Sequence, residues 1–255
     1  MPRPLRPRPS ATPPRVSLAR VLSKLGLCSR TEAARWIEAG RVEVDGRVTL
    51  NPELRVDPAR NRIRVDGAPA QAAGKLYLMM NKPRGLLTTR EDPEGRPTVY
   101  GVLKDSGLPW VAPVGRLDQA SEGLLLFTND TRWAERLLDP AQHVTKTYHV
   151  QVAGLPNPTE LARMRSGVQD EGETLAARAV SVLRAGPKNC WLEILLEEGR
   201  NRHVRRMLGA LGYETMNLVR VAIGPLALGD LPKGGVRRLT VAEKASLGSA
   251  VGPGA

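Results

Sequence analysis

Apolar positions in the chain fall into two regimes. Between residues 15 and 62 they recur at helical spacing. Leu18, Val21, Leu22 and Leu25 share one face, and Gly26 is placed to end that helix. Ser29-Arg30-Thr31-Glu32 has the form of a capping box opening a second helix, with Ala33 and Ile37 turned toward the first and Gly40 closing it. Residues 42–48 alternate around Asp45-Gly46, a hairpin signal, and residues 63–65 supply a strand before Asp66-Gly67. Beyond residue 75 the runs become continuous. Residues 76–80 and 124–127 are wholly apolar and bounded by turn residues, as buried strands are. Residues 145–152 alternate and are rich in β-formers. Residues 177–183 and 191–196 read as paired strands, and 218–223 and 237–240 as edge or closing strands. Helical patterns lie at 133–138, 158–166 (Leu161 and Met164 inward), 200–211 and 241–247. Residues 90–112 read as a mobile loop holding a short helix. Without a regular βαβ rhythm, the expected class is α+β, with a mixed, mostly antiparallel sheet in the larger domain.

The same pattern divides the chain. Residues 1–14 alternate Pro with Arg and predict a disordered basic tail. Residues 15–72 form one compact helix–helix–hairpin module, and Gln71–Gly74 is a linker of small residues. A second domain spans 75–247, and 248–255 is expected to fray.

Charge adds a partner. Lys and Arg outnumber Asp and Glu by 38 to 26, giving +12 and a pI near 10.4, with only 4% aromatic residues. Such a surface points to a polyanion, nucleic acid first. The excess is densest before residue 63, where Arg20, Lys24, Arg30, Arg35 and Arg41 read as a basic face on the helix pair. Cys28 and Cys190 have no CxxC spacing, and His143, His149 and His203 form no ligand motif, so neither a disulfide framework nor a metal site is expected. No apolar stretch approaches the ~18 residues of a membrane helix, and the N-terminus lacks the apolar segment of a secretion signal. With no P-loop or GxGxxG fingerprint, no nucleotide cofactor is expected. A reducing cytoplasm fits.

Candidate chemistry centres on residues 114–130, where Gly115-Arg116-Leu117-Asp118 presents a carboxylate on a turn beside the apolar run. An Asp in a turn commonly caps nearby backbone N–H groups. A polar loop residue on a rigid scaffold is equally a common catalytic position. The residues alone leave both readings open.

GRLD-x-x-S-x-GLLL-x-TND resembles the signature of the RsuA-type branch of pseudouridine synthases, in which the Asp of GRLD is the nucleophile. Asn81-Lys82-Pro83-Arg84-Gly85 resembles that family's entry motif, and Lys146-Thr147-Tyr148 its Lys-x-Tyr strand. Glu198–Met207 resembles its EGRNRQVRRM motif, and Leu218–Gly235 its C-terminal signature. Ser29–Gly46 resembles the S4 RNA-binding domain, whose basic helix face grips structured RNA. The resemblance implies isomerisation of uridine to pseudouridine without a cofactor, with Asp118, Tyr148 and Arg205 catalytic. Arg205 is expected to pair with Asp118 and oppose the neutralising effect of burial. Tyr148 is expected to stack on the uracil, and Val204 to close the apolar side. Arg116, Lys82, Arg202 and Arg206 are expected on the RNA substrate. His203 stands where the family commonly has Gln, and its role is open. So is the route, which can pass through C6, C1′ or a glycal.

The expected partner is ribosomal RNA or a pre-ribosomal particle met by a monomer. The Glu198–Arg206 motif looks more like large-subunit members, which favours 23S over 16S rRNA. Two other readings follow from the same residues. A catalytically silent RNA-binding assembly factor would keep the S4 module and dispense with Asp118. A glycoside hydrolase would need a second carboxylate across the bond, and only Glu122 is near in sequence.

Overall fold

The computed structural model describes residues 15–104 and 106–250. The expected tail 1–14, and residues 251–255 of the expected tail 248–255, lie outside these residues. The chain divides into two compact units between Gly74 and Lys75.

In the first unit, strand β1 (Val16–Ser17) leads into helix α1 (Leu18–Lys24), followed by α2 (Arg30–Glu38). Strands β2 (Val42–Val44), β3 (Arg47–Val48), β4 (Arg55–Val56), β5 (Ile63–Val65) and β6 (Ala68–Pro69) complete it. The Ser29 hydroxyl accepts the Glu32 N–H and starts α2. Leu18, Val21, Leu22, Ala33 and Ile37 are buried together, as their spacing predicts. Asp45 and Gly46 both take positive φ (52° and 79°), the I′ turn that matches strand twist. Asp66 and Gly67 repeat this turn.

The second unit opens with β7 (Tyr77–Lys82), α3 (Val99–Leu103), β8 (Ala112–Val114), β9 (Glu122–Thr128) and α4 (Thr131–Leu138). It continues through β10 (Lys146–Ala153), α5 (Pro158–Ser166), β11 (Val168–Asp170), β12 (Glu173–Leu175), β13 (Ala179–Ala185) and β14 (Asn189–Leu196). It ends with α6 (His203–Gly209), β15 (Thr215–Ile223), β16 (Leu226–Ala227), β17 (Val236–Arg238) and α7 (Val241–Ala250). The main sheet runs β13-β14-β10-β15-β9-β7-β17, with β16 beside β15 and β8 beside β9. All its pairings are antiparallel except β15 on β9.

Strand β9 is buried on both faces, which is why it reads as an unbroken apolar run. Leu124 and Leu126 pack with Met79 and Trp133 on one side, and Leu125 and Phe127 with Leu78 and Met80 on the other. Helices α5 and α6 cover the β10–β14 half of the sheet, burying Met164, Val204, Met207 and Leu208.

Several expectations change. Strand β15 is not an edge; it lies inside the sheet between β10 and β9. It can do so because Gly123 lets the two backbones meet. A Cβ there would stand 2.3 Å from the Arg220 carbonyl oxygen. Helix α6 starts at His203, after a turn in which Arg202 adopts a left-handed φ of 49°. The hairpin β11–β12 was not anticipated. Helix α7 carries through Gly248–Ala250, which were expected to fray.

Candidate active site

Asp118 lies on the loop between β8 and β9, and that loop is fastened through its backbone. Five consecutive carbonyls each accept a hydrogen bond. The Thr88 hydroxyl donates to Leu117 O at 2.7 Å. Lys82 Nζ donates to Asp118 O at 3.1 Å and to Ser121 O at 2.8 Å. The Gly85 N–H donates to Gln119 O at 2.8 Å. Arg205 Nη2 donates to Ala120 O at 3.0 Å. The Ser121 N–H closes the turn onto Asp118 O at 3.0 Å. Fixing the main chain in this way orients the Asp118 side chain without occupying it.

Lys82 therefore corrects the reading that placed it on the substrate. It is 0% exposed, and its third proton goes to Pro83 O at 3.1 Å. Burial lowers its pKa to about 8, against the pull of Glu122 and Asp118.

Asp118 faces a cavity of about 250 Å³. Tyr148, Val204, Leu218 and Ile223 form much of its wall. Strand pairing aligns this wall: Tyr148 on β10 is opposite Ile194 on β14 and Arg220 on β15. Lys146, two residues earlier, shares the Tyr148 face. Five cations, Arg116, Lys146, Arg200, Arg202 and Arg220, line the cavity with Asp118 as its single lining carboxylate among the described residues. His203 is buried there, and burial pushes its pKa down against the pull of Glu198 and the Ala176 backbone, which favours neutral imidazole. Glu198 stands 3.8 Å from its Nδ1.

The expected residues separate into groups. Asp118, Tyr148, Val204, Arg116 and Arg202 meet at one cavity. Arg205 lies behind the loop, with Nη1 on Thr215 O at 3.3 Å and Nη2 on Ala120 O. The expected direct ion pair with Asp118 is replaced by this backbone clasp. Burial and the nearby Arg202 lower the Arg205 pKa, while Asp118 raises it. Arg206, expected on the RNA substrate, does not line the cavity. It bridges Asp170 at 2.6 Å and Glu173 at 2.7 Å, bracing the unanticipated hairpin. Sequence reasoning missed Lys146 and Arg220 as cavity cations. The available signal was their placement, one in the Lys-x-Tyr strand and one in the C-terminal signature.

In the first unit Arg20 and Arg30 line one shallow cleft, joined by Arg55, which the sequence did not single out. Lys24 and Arg35 are exposed on the helices, Arg35 lying 3.7 Å from Glu32. Arg41 falls after α2 rather than on it. It grips Asp66 at 2.6 and 2.9 Å and stacks over Trp36, so it serves the unit's own structure.

Residues 76–210, which carry this cavity's loop and most of its walls, match the RNA pseudouridylate synthase family. The chain belongs to that family. Residues 16–61 match the S4 domain. The chain is 39% identical over 239 residues to an uncharacterized RNA pseudouridine synthase of Aquifex aeolicus, covering 93% of this chain and 95% of that one. It is 42% identical over 234 residues to ribosomal large subunit pseudouridine synthase B of Salmonella typhimurium, covering 89% and 80%. A crystal structure of a pseudouridylate synthase superposes with a TM-score of 0.62 at 27% identity, covering 91% of this chain and 99% of that one. This chain is thus an RNA pseudouridine synthase with an N-terminal S4 domain. No helix among the described residues is long and apolar enough to cross a membrane.

Proposed function

We propose that this synthase isomerises a uridine of large-subunit ribosomal RNA, with Asp118 as nucleophile and no cofactor. The observation that carries the chemical part is the fastened loop. Asp118 faces a largely apolar cavity of single-nucleoside scale while the five backbone carbonyls from Leu117 to Ser121 are tied down. A duplex does not fit a cavity of about 250 Å³, so the target nucleotide is flipped out of its stack. Tyr148 gives the base a stacking surface, and Val204, Leu218 and Ile223 exclude water. Arg116 and Arg202, both exposed at the rim, meet the flanking phosphates. Arg20, Lys24 and Arg30 of the S4 domain contribute sequence-independent phosphate contacts that position the enzyme. The large-subunit assignment rests on the 42% identity to the Salmonella enzyme.

The test maps pseudouridines in ribosomal RNA from cells lacking this gene, complemented with wild type or Asp118→Asn. One large-subunit position should vanish on deletion, return with wild type and stay absent with the variant. Restoration by Asp118→Asn would refute the nucleophile. A small-subunit position would refute the substrate. An unchanged map of all RNA would leave an RNA-binding assembly factor as the function.

A further inference from the structure

Lys146 and Arg220 both line the cavity, and neither has a carboxylate partner among the described residues. Arg220 is 6% exposed. Its Nε donates to the Leu124 carbonyl at 2.8 Å, and its Nη2 is buried with no partner. Lys146 is half-buried and reaches only the Glu197 carbonyl, at 3.4 Å. Burial lowers the Lys146 pKa, and the nearby Arg220 lowers it further. Burying two like charges in an apolar-walled cavity is costly unless an anion completes the site. The only carboxylate lining the cavity, Asp118, is the group assigned to attack, so the completing charge has to arrive with the substrate.

Register says where that charge appears. Arg220 is the direct cross-strand partner of Tyr148, and Lys146 lies two residues along the same face. A base stacked on Tyr148 therefore has its edge at the Arg220 guanidinium. Resting on the functional reading above, we propose that Arg220 and Lys146 form an anion hole for the pyrimidine ring, stabilising the negative charge that develops on its O2 and O4 oxygens. Charge develops there on every route. Attack at C6 drives electrons toward O4. Departure from the sugar breaks the N1–C1′ bond and leaves its electron pair on the ring, shared between N1 and O2. The ring then joins C1′ through C5, the C5 proton is lost and N1 gains one, so the product is an isomer and no redox partner enters. The same two cations also keep the detached ring from diffusing away while it turns. Guanidinium and ammonium donors fixed in advance at a developing charge are the usual form of electrostatic catalysis.

The full chain is assayed on large-subunit rRNA transcribed with uridine tritiated at C5, following tritium release, with RNA affinity measured separately. Arg220→Gln and Lys146→Gln should each lower kcat by about 10²-fold, with RNA affinity held within about threefold. Added guanidinium should restore turnover to Arg220→Ala, a response that a folding defect does not give. Unchanged kcat in both variants overturns the proposal. Loss confined to RNA affinity also overturns it, and makes the pair a phosphate site. Should Arg220 variants melt early, Lys146→Gln decides, since its side chain is only half-buried at a strand end. Failure of the wild type to release tritium from any rRNA would sink the functional reading itself, a result distinct from all of these.

Discussion

Replacing Lys82 by Met separates the loop's chemistry from the fold's stability. Met fills a similar volume and donates nothing. Three hydrogen bonds from an ammonium to the Pro83, Asp118 and Ser121 carbonyls disappear, at about 1.5 kcal/mol each. Against that, burial has brought the ammonium from 10.5 to about 8, a penalty of about 3 kcal/mol that Met does not carry. The difference is a net loss of roughly 1–2 kcal/mol near neutral pH, small for a fully buried charge. Linkage supplies a second signature. Between pH 8 and 10.5 the folded wild type holds fewer protons at this lysine than the unfolded chain, so its stability gains as pH rises. The variant lacks this gain, and the gap widens by about 3 kcal/mol across the window. Activity responds differently. A loop displaced by about 1 Å costs about 10²-fold in rate. Urea melts at about pH 7.5 and 10, with single-turnover tritium release at the lower pH, read both quantities. Near wild-type turnover, or a stability gap that stays flat with pH, refutes the tripod as the loop's anchor.

Gly123→Ala should cost about 3 kcal/mol in denaturant unfolding, since the new Cβ meets the Arg220 carbonyl at 2.3 Å and the φ of 98° strains any side chain; a loss under about 1 kcal/mol would mean that β9 and β15 part easily. Arg206→Met should speed amide exchange in β11 and β12 while leaving turnover within about threefold, because its partners are Asp170 and Glu173; a large fall in kcat with intact exchange protection would return it to the substrate. Arg237 holds the Glu243 carboxyl at about 2, below its usual 4.5. That pair's contribution is present above pH 4.5 and is lost as pH falls toward 2, so Arg237→Met should flatten the acid limb of a thermal-melt series, and an unaltered limb would count against the pair.

The sequence made the chemistry more legible than the neighbours that sustain it. That Asp118, Tyr148 and Val204 share one cavity was readable because each sits in a short motif of the family the chain resembles. The hairpin at Asp45-Gly46 was readable because few sequences satisfy two consecutive positive φ values. Lys82 was misplaced since a lysine in a motif looks the same whether its ammonium faces RNA or three carbonyls. Its burial follows from β7 pairing with β9, a tertiary fact. Arg206 was misplaced because its anchors lie in a hairpin more than thirty residues earlier, whose strands are three residues each and too short to show alternation. Strand β15 read as an edge or closing strand, yet it lies between β10 and β9. Nothing local reveals that β15 and β9 lie side by side.

The parallel pairing of β15 with β9 also sets the order of assembly. Glu122 and Gly123 meet Val219 and Arg220, so the seam closes only after nearly the whole chain has left the ribosome. Such long-range pairing forms late, because the loop-closure entropy of the intervening residues must be overcome first. The Asp118 turn can take shape early, from neighbours such as Lys82 and Thr88. Its cavity floor arrives with β15. A nascent or truncated chain ending before residue 215 would thus display the Asp118 loop with no chamber around it, and the cavity is completed in one late step of folding.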